Sequence, residues 1–185
     1  MEALKIDNFM PNYTYEDYKH WEGDWELIDG VPFAMAPAPM KKHQMLVGYI
    51  FSEIVSKIGI CPNCEVLIDS DWKLNSQNVL KPDVALVCND DNPKHISKTP
   101  EVIFEVISPS TAQRDENLKF TIYAGEGVKY YVLVYPEDLV ARVYKNDDFS
   151  FKKVGEFDTE SLEFEEITCE FTFDFGAIFE RFREK

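Results

Sequence analysis

The 185-residue chain is short of positive charge: 19 lysines and arginines face 34 aspartates and glutamates, a formal net charge of −15. That imbalance repels polyanions at long range and lowers non-specific affinity for nucleic acid or anionic membranes, so any contact with DNA must be local. Long apolar runs are missing as well. None approaches the roughly 20 residues of a membrane helix, and the acidic start MEALKIDNFM lacks the charged-then-apolar order of a signal peptide. The expected compartment is the cytoplasm, with no membrane partner. The four cysteines fit that compartment, where thiols stay reduced. Cys61-Pro-Asn-Cys64 has metal-ligand or redox spacing, but a structural zinc site usually needs a second pair, and Cys88 and Cys169 stand far apart in the chain. Isolated thiols are the simpler reading, and a cysteine metal or redox protein is the alternative.

Hydrophobic residues make up 45% of the chain and aromatic residues 14%, enough to bury a sizeable core in one domain spanning 1–185. There is no internal repeat or linker. Thr14 can cap a short helix through Tyr18, and Asp29-Gly30 between two apolar runs signals a hairpin. From His43 to Ile58 apolar residues recur at steps of three and four, and Gly59 stops the run, which predicts the first long helix. CEVLIDSDWKL, NVLKPDVALVC and EVIFEVIS read as three strands of an antiparallel meander. Ser110 and Asp115 are cap candidates for a helix ending near Gly125, with Leu118 and Ile122 on one face and Asp115, Lys119 and Tyr123 on a neighbouring one. KYYVLVY follows as a buried strand, parallel to EVIFEVIS if the crossover is right-handed. A hairpin around Asn146-Asp147-Asp148, a late strand and a helix from Phe175 to Arg183 complete the chain. The aromatic tail, Phe164 to Phe182, has acidic neighbours and reads as core or dimer packing.

Two acids stand out. In VIFEVI, Ile103, Glu105 and Ile107 share one face of a strand whose faces are otherwise apolar. An ionised carboxylate there costs several kcal/mol unless a cation, a metal or hydrogen bonds compensate it. Asp83 follows Pro82 at the start of VALVC, where an aspartate is often only a turn acceptor. If its strand lies beside that of Glu105, the two carboxylates form the hard-oxygen pair that holds Mg²⁺ or Mn²⁺ with waters.

Pro82-Asp83 followed by Glu105-Val106-Ile107 resembles the signature of the PD-(D/E)XK nuclease superfamily, except that Ile107 stands where lysine is usual. More closely, YEDY, WELIDG, SPST, Asp115, Lys119, Tyr123 and GVKYYVLVYP resemble the Uma2 family of restriction endonuclease-like proteins. The resemblance implies an α/β fold, a restriction endonuclease-like mixed β-sheet flanked by α-helices. It also implies metal-dependent hydrolysis of DNA, with Asp83 and Glu105 as metal ligands and Lys119, from the following helix, in the lysine role. Glu26 and His43 match family positions near the cleft, whereas VLVYP departs from the family's usual Trp and Asp. Each residue also has a plainer reading: Lys119 as a solvated lysine paired with Asp115, Glu26 as a strand acid facing water, His43 as a solvated helix residue. Lys41, Lys42 and Lys119 are the candidates for a cationic strip, and a symmetric homodimer could present two such strips to opposite strands. Ile107 and the net charge support the opposing class, a nuclease-fold binding or regulatory module without turnover.

Overall fold

The computed structural model describes residues 11–35, 40–59 and 61–183. The MEALKIDNFM stretch and residues 36–39, just before the first long helix, lie outside the described residues.

The first helix, α1 (Tyr15–Tyr18), is closed by a reciprocal capping box between Thr14 and Asp17. Strands β1 (Trp25–Ile28) and β2 (Val31–Ala34) form the expected hairpin. Its two-residue turn carries positive φ at both Asp29 and Gly30, the type I′ geometry that matches strand twist. Gly30 is also required by space, because a Cβ there would lie 3.1 Å from the Asn12 backbone. The long helix α2 (Lys41–Ile58) buries Leu46, Val47, Ile50 and Ile54 along one stripe.

Two of the three expected meander strands are each split between two sheets. CEVLIDSDWKL supplies β3 (Cys64–Ile68) to one sheet and β4 (Trp72–Lys73) to another, and NVLKPDVALVC divides into β5 (Val79–Leu80) and β6 (Val84–Cys88) in the same way. The breaks fall at Asp69, whose φ is positive, and at Pro82, which cannot donate to a ladder. Asp83 therefore stands at a corner where the two sheets diverge. Strand β7 (Val102–Val106) pairs antiparallel with β6 and, as expected, parallel with β8 (Tyr130–Tyr135). Strands β9 (Val140–Asp147) and β10 (Ser150–Phe157) turn through Asp148-Phe149, one residue beyond the expected centre. The result is a six-stranded mixed sheet in the order β10-β9-β8-β7-β6-β3 and a four-stranded sheet in the order β2-β1-β5-β4.

Alternation along the strands divides the interior. Val84, Leu86, Val102, Phe104, Val106 and Val132 pack under α2 and the aromatic tail. That tail forms the hairpin of β11 (Ser161–Phe164) and β12 (Phe171–Asp174), then the short helix α4 (Phe175–Phe179) and a 3₁₀ turn, Glu180–Phe182. Phe164, Phe171, Phe173, Phe175 and Phe179 are all buried, so the tail is core. On the other face Ile103, Tyr131 and Leu133 meet Ile28, Trp72 and Tyr123, and Glu105 points into this second layer. No helix among the described residues is long and apolar enough to cross a membrane.

The loop after β6 is organised by one carboxylate. Asp90 accepts hydrogen bonds from the amides of Asn92, Ser97 and Lys98 and from the Ser97 hydroxyl. Partial burial alone would raise its pKa, but these donors hold it down at about 2. A depressed carboxylate stabilises the fold above its unfolded pKa, roughly 3.9, and that contribution disappears as the pH falls through about 2. Asp90→Ala is expected to cost about 1 kcal/mol at pH 7 and much less at pH 2, measurable by urea unfolding at both values.

Candidate active site

Strands and a helix from both layers aim acids at one place. Glu26 is fully buried on β1, Glu105 sits on β7, and Asp83 precedes β6. The opposing cation comes from the segment after β7. Residues Arg114–Lys119 form a π-helical turn that runs into α3 (Phe120–Gly125). Such widened turns recur at functional sites, and this one sets a register that a 3.6-residue period does not describe. Asp115, Lys119 and Tyr123 face inward, while Leu118 is exposed.

The readings of Lys119 as solvated and Glu26 as facing water are both overturned, since Lys119 is 1% exposed and Glu26 0%. The Lys119 Nζ lies 2.8 Å from Glu26 Oε1, 2.9 Å from Glu105 Oε1 and 3.5 Å from Asp115 Oδ1. Tyr123 donates its hydroxyl to the same Glu105 oxygen at 3.0 Å, and Tyr131 donates to the Asp115 carbonyl at 3.0 Å. The Lys81 amide donates to Glu26 at 2.9 Å. Arg114 Nε is 3.2 Å from Glu26 Oε2, an ion pair without an aligned hydrogen bond, since both atoms are left without a hydrogen-bond partner. Three carboxylates thus surround one buried ammonium, with one guanidinium at the edge.

Electrostatics follow from that crowding. Burial pushes the Glu105 carboxyl well above the usual range; Lys119 opposes the shift, while Asp115, Asp83 and Glu26 add to it. Asp115 is raised for the same first reason. Burial alone would lower the Lys119 pKa, yet Glu105, Glu26 and Asp115 hold it well above its ordinary value, so it remains an ammonium.

Asp83 is fixed from two sides. Its Oδ2 accepts the Val106 amide at 2.6 Å and lies 3.3 Å from His43 Nε2. Burial works against the His43 proton, but contact with Asp83 outweighs it and raises the histidine pKa. The Asp83 amide approaches Glu105 Oε2 at 3.4 Å, which ties the two acids together. Asp83, Glu105, Lys119, Asp115, Arg114 and His43 line one open cavity of about 760 Å³.

Of the residues singled out in the sequence, Asp83, Glu105 and Lys119 converge, Glu26 lies directly behind them, and His43 braces Asp83. Ile107 lies on the wall of the same cavity as Lys119. The proposed cationic strip does not survive intact. Lys119 is buried beneath the surface and Lys41 is not part of the cavity, whereas Lys42, Lys81 and Arg114 line it. Arg114 carried no periodic signal. Its position next to Asp115, five residues before Lys119, was the only hint available.

The pair of acids suits a hard cation. Glu105 Oε2 has only the long contact to the Asp83 amide, and among the described residues Asp83 Oδ1 takes no hydrogen bond, so each leaves an oxygen free.

Comparison with known proteins gives the family and the fold. Residues 15–174 match the Uma2 family model, described as "Putative restriction endonuclease". The chain belongs to the Uma2 family. The matched span of Uma2 runs from α1 to the end of β12. An uncharacterized protein from Synechocystis sp. (strain ATCC 27184 / PCC 6803 / Kazusa), slr1290, is 29% identical over 175 residues, covering 89% of this chain and 90% of its own. A crystal structure from Anabaena variabilis ATCC 29413, described as "a putative nuclease belonging to DUF820", shares the fold. It has a TM-score of 0.73 and 16% identity, and the match covers 90% of this chain and 97% of that one.

Proposed function

We propose that this Uma2 protein is a metal-dependent endonuclease that hydrolyses DNA phosphodiester bonds. The observation that carries the reading is the meeting of Lys119 Nζ with Glu105 at 2.9 Å, beside Asp83, on an open cavity. A lysine from the π-helical turn thereby occupies the position that Ile107 leaves without a cation.

Asp83 and Glu105 would hold Mg²⁺ or Mn²⁺ through their free oxygens. The cation, when bound, supplies positive charge to the phosphate and lowers the pKa of the attacking water. The Val106 amide and His43 fix the Asp83 carboxylate in one orientation, so little reorganisation accompanies binding. Lys119 contributes a preorganised positive charge where the phosphate becomes more negative, in a site dry enough to make that charge count. Glu26 and Asp115 hold the ammonium in place. At the mouth, Lys42, Lys81 and Arg114 give the acidic chain its local attraction for a DNA backbone. A symmetric homodimer would set two such clefts against opposite strands.

The cation should bind weakly, because two carboxylates and waters make a sparse shell for it. Titration calorimetry with Mn²⁺ is expected to detect binding to the wild type and a clear loss of affinity in Asp83→Asn. Equal affinity in the two proteins removes Asp83 from the site.

A further inference from the structure

The four cysteines come from three separate parts of the chain and meet at one point. Cys61 and Cys64 flank a tight turn whose Asn63 has φ +68°, which folds the Cys61-Pro-Asn-Cys64 segment back on itself at the start of β3. Cys88 ends β6 directly opposite Cys64 in the β3–β6 ladder, with the two Cα atoms 4.0 Å apart, so both side chains share a face. Cys169 is buried in the loop between β11 and β12, its Cα 6.3 Å from that of Cys61. Cys88 and Cys169, far apart in the chain, are therefore both brought to the Cys61–Cys64 turn. The strand pairing brings in the first, and the return of the aromatic hairpin brings in the second.

The sulfurs meet as two bonded pairs, Cys61 with Cys169 and Cys64 with Cys88. The pairs are not separate, because Cys64 Sγ also lies 3.2 Å from Cys169 Sγ. The ligand atoms of Cys61, Cys64 and Cys169 all fall within 4.8 Å of one another. Cys88 lies outside that group of three but joins it through Cys64, so all four cysteines are linked at one locus. Tetrahedral zinc needs four sulfurs about 2.3 Å from one centre, which places them about 3.8 Å from each other.

We propose that Cys61, Cys64, Cys88 and Cys169 form a structural tetrathiolate zinc site. Binding is ligand exchange: the thiols release their protons, Zn²⁺ loses its waters, and four Zn–S bonds form with no change in oxidation state. The site fastens the loop between β11 and β12 to β3, the edge strand of the six-stranded sheet. It is distinct from the acid cluster, since Asp83 lies just before β6 and Cys88 at its far end, five strand residues or roughly 17 Å away.

The test uses the intact chain purified under anaerobic conditions without added metal. Elemental analysis is expected to find one zinc per chain, and thiol titration in denaturant with chelator to find four thiols. Cobalt exchanged into the site should give the intense thiolate-to-metal absorption of a tetrahedral tetrathiolate. Cys88→Ser and Cys169→Ser should each lose the zinc and melt at lower temperature, whereas Asp83→Asn keeps it. No zinc, whether with four thiols or with none, overturns the proposal. So does zinc that survives in Cys169→Ser but is lost in Asp83→Asn, which would place the ion among the acids.

Discussion

Replacing Lys119 by methionine is expected to slow DNA cleavage by about 10²-fold or more, the scale of losing one preorganised charge-stabilising group. It should also destabilise the metal-free protein by about 3–5 kcal/mol, because removal of one partner leaves buried carboxylates uncompensated. Lys119 is 1% exposed, and Glu26 and Glu105 each lie within hydrogen-bond distance of its ammonium. A divalent cation at Asp83 and Glu105 would restore part of the missing charge. Mn²⁺ should therefore raise the melting temperature of Lys119→Met more than that of the wild type. Calorimetric melting with and without Mn²⁺ decides the matter. A stability loss below about 0.5 kcal/mol would be the behaviour of a surface lysine and would contradict the burial argument.

Glu105→Gln should separate function from stability in the opposite sense. The glutamine keeps the shape and one acceptor for Lys119 and Tyr123, but removes a charge whose pKa burial has pushed well above the usual range. For a carboxyl raised in the folded state, the charged form is penalised as the pH rises above its unfolded pKa, so the penalty is present at neutral pH. Lys119 still has Glu26 and Asp115 as partners. The melting temperature at pH 7 is expected to be equal to or above that of the wild type, while cleavage falls to background because the cation loses a ligand. A variant both inactive and strongly unfolded would instead make Glu105 part of the scaffold.

The sequence carried the site in fragments. An acid within an apolar strand, on a face shared with Ile103 and Ile107, already required a partner, and the structure supplies Lys119 and Tyr123. The hairpin at Asp29-Gly30, the parallel β7–β8 pair and the stripe of α2 were legible because turn chemistry and side-chain period are local. The inward turn of Lys119 was not. A 3.6-residue period placed Leu118 and Ile122 as a helix face, whereas the π-helical turn and the three carboxylates beneath it draw Asp115 and Lys119 inside. Burial of Glu26 was equally hidden, since it depends on β1 packing against a segment some 90 residues later in the chain. The division of two long strands between two sheets also escaped, although Pro82 and the acidic bend at Asp69 marked both corners. Cysteine spacing misled for a related reason: sequence separation says nothing about which strand ends meet.

Single-turnover cleavage of a supercoiled plasmid, with protein in excess and Mn²⁺ present, tests the central claim most directly. The wild type is expected to convert the plasmid to nicked or linear forms. Glu105→Gln and Asp83→Asn, folded at the same temperature, should leave it supercoiled. An intact plasmid in every reaction, or cutting by Glu105→Gln at the wild-type rate, would contradict the assignment of these acids to metal-dependent hydrolysis.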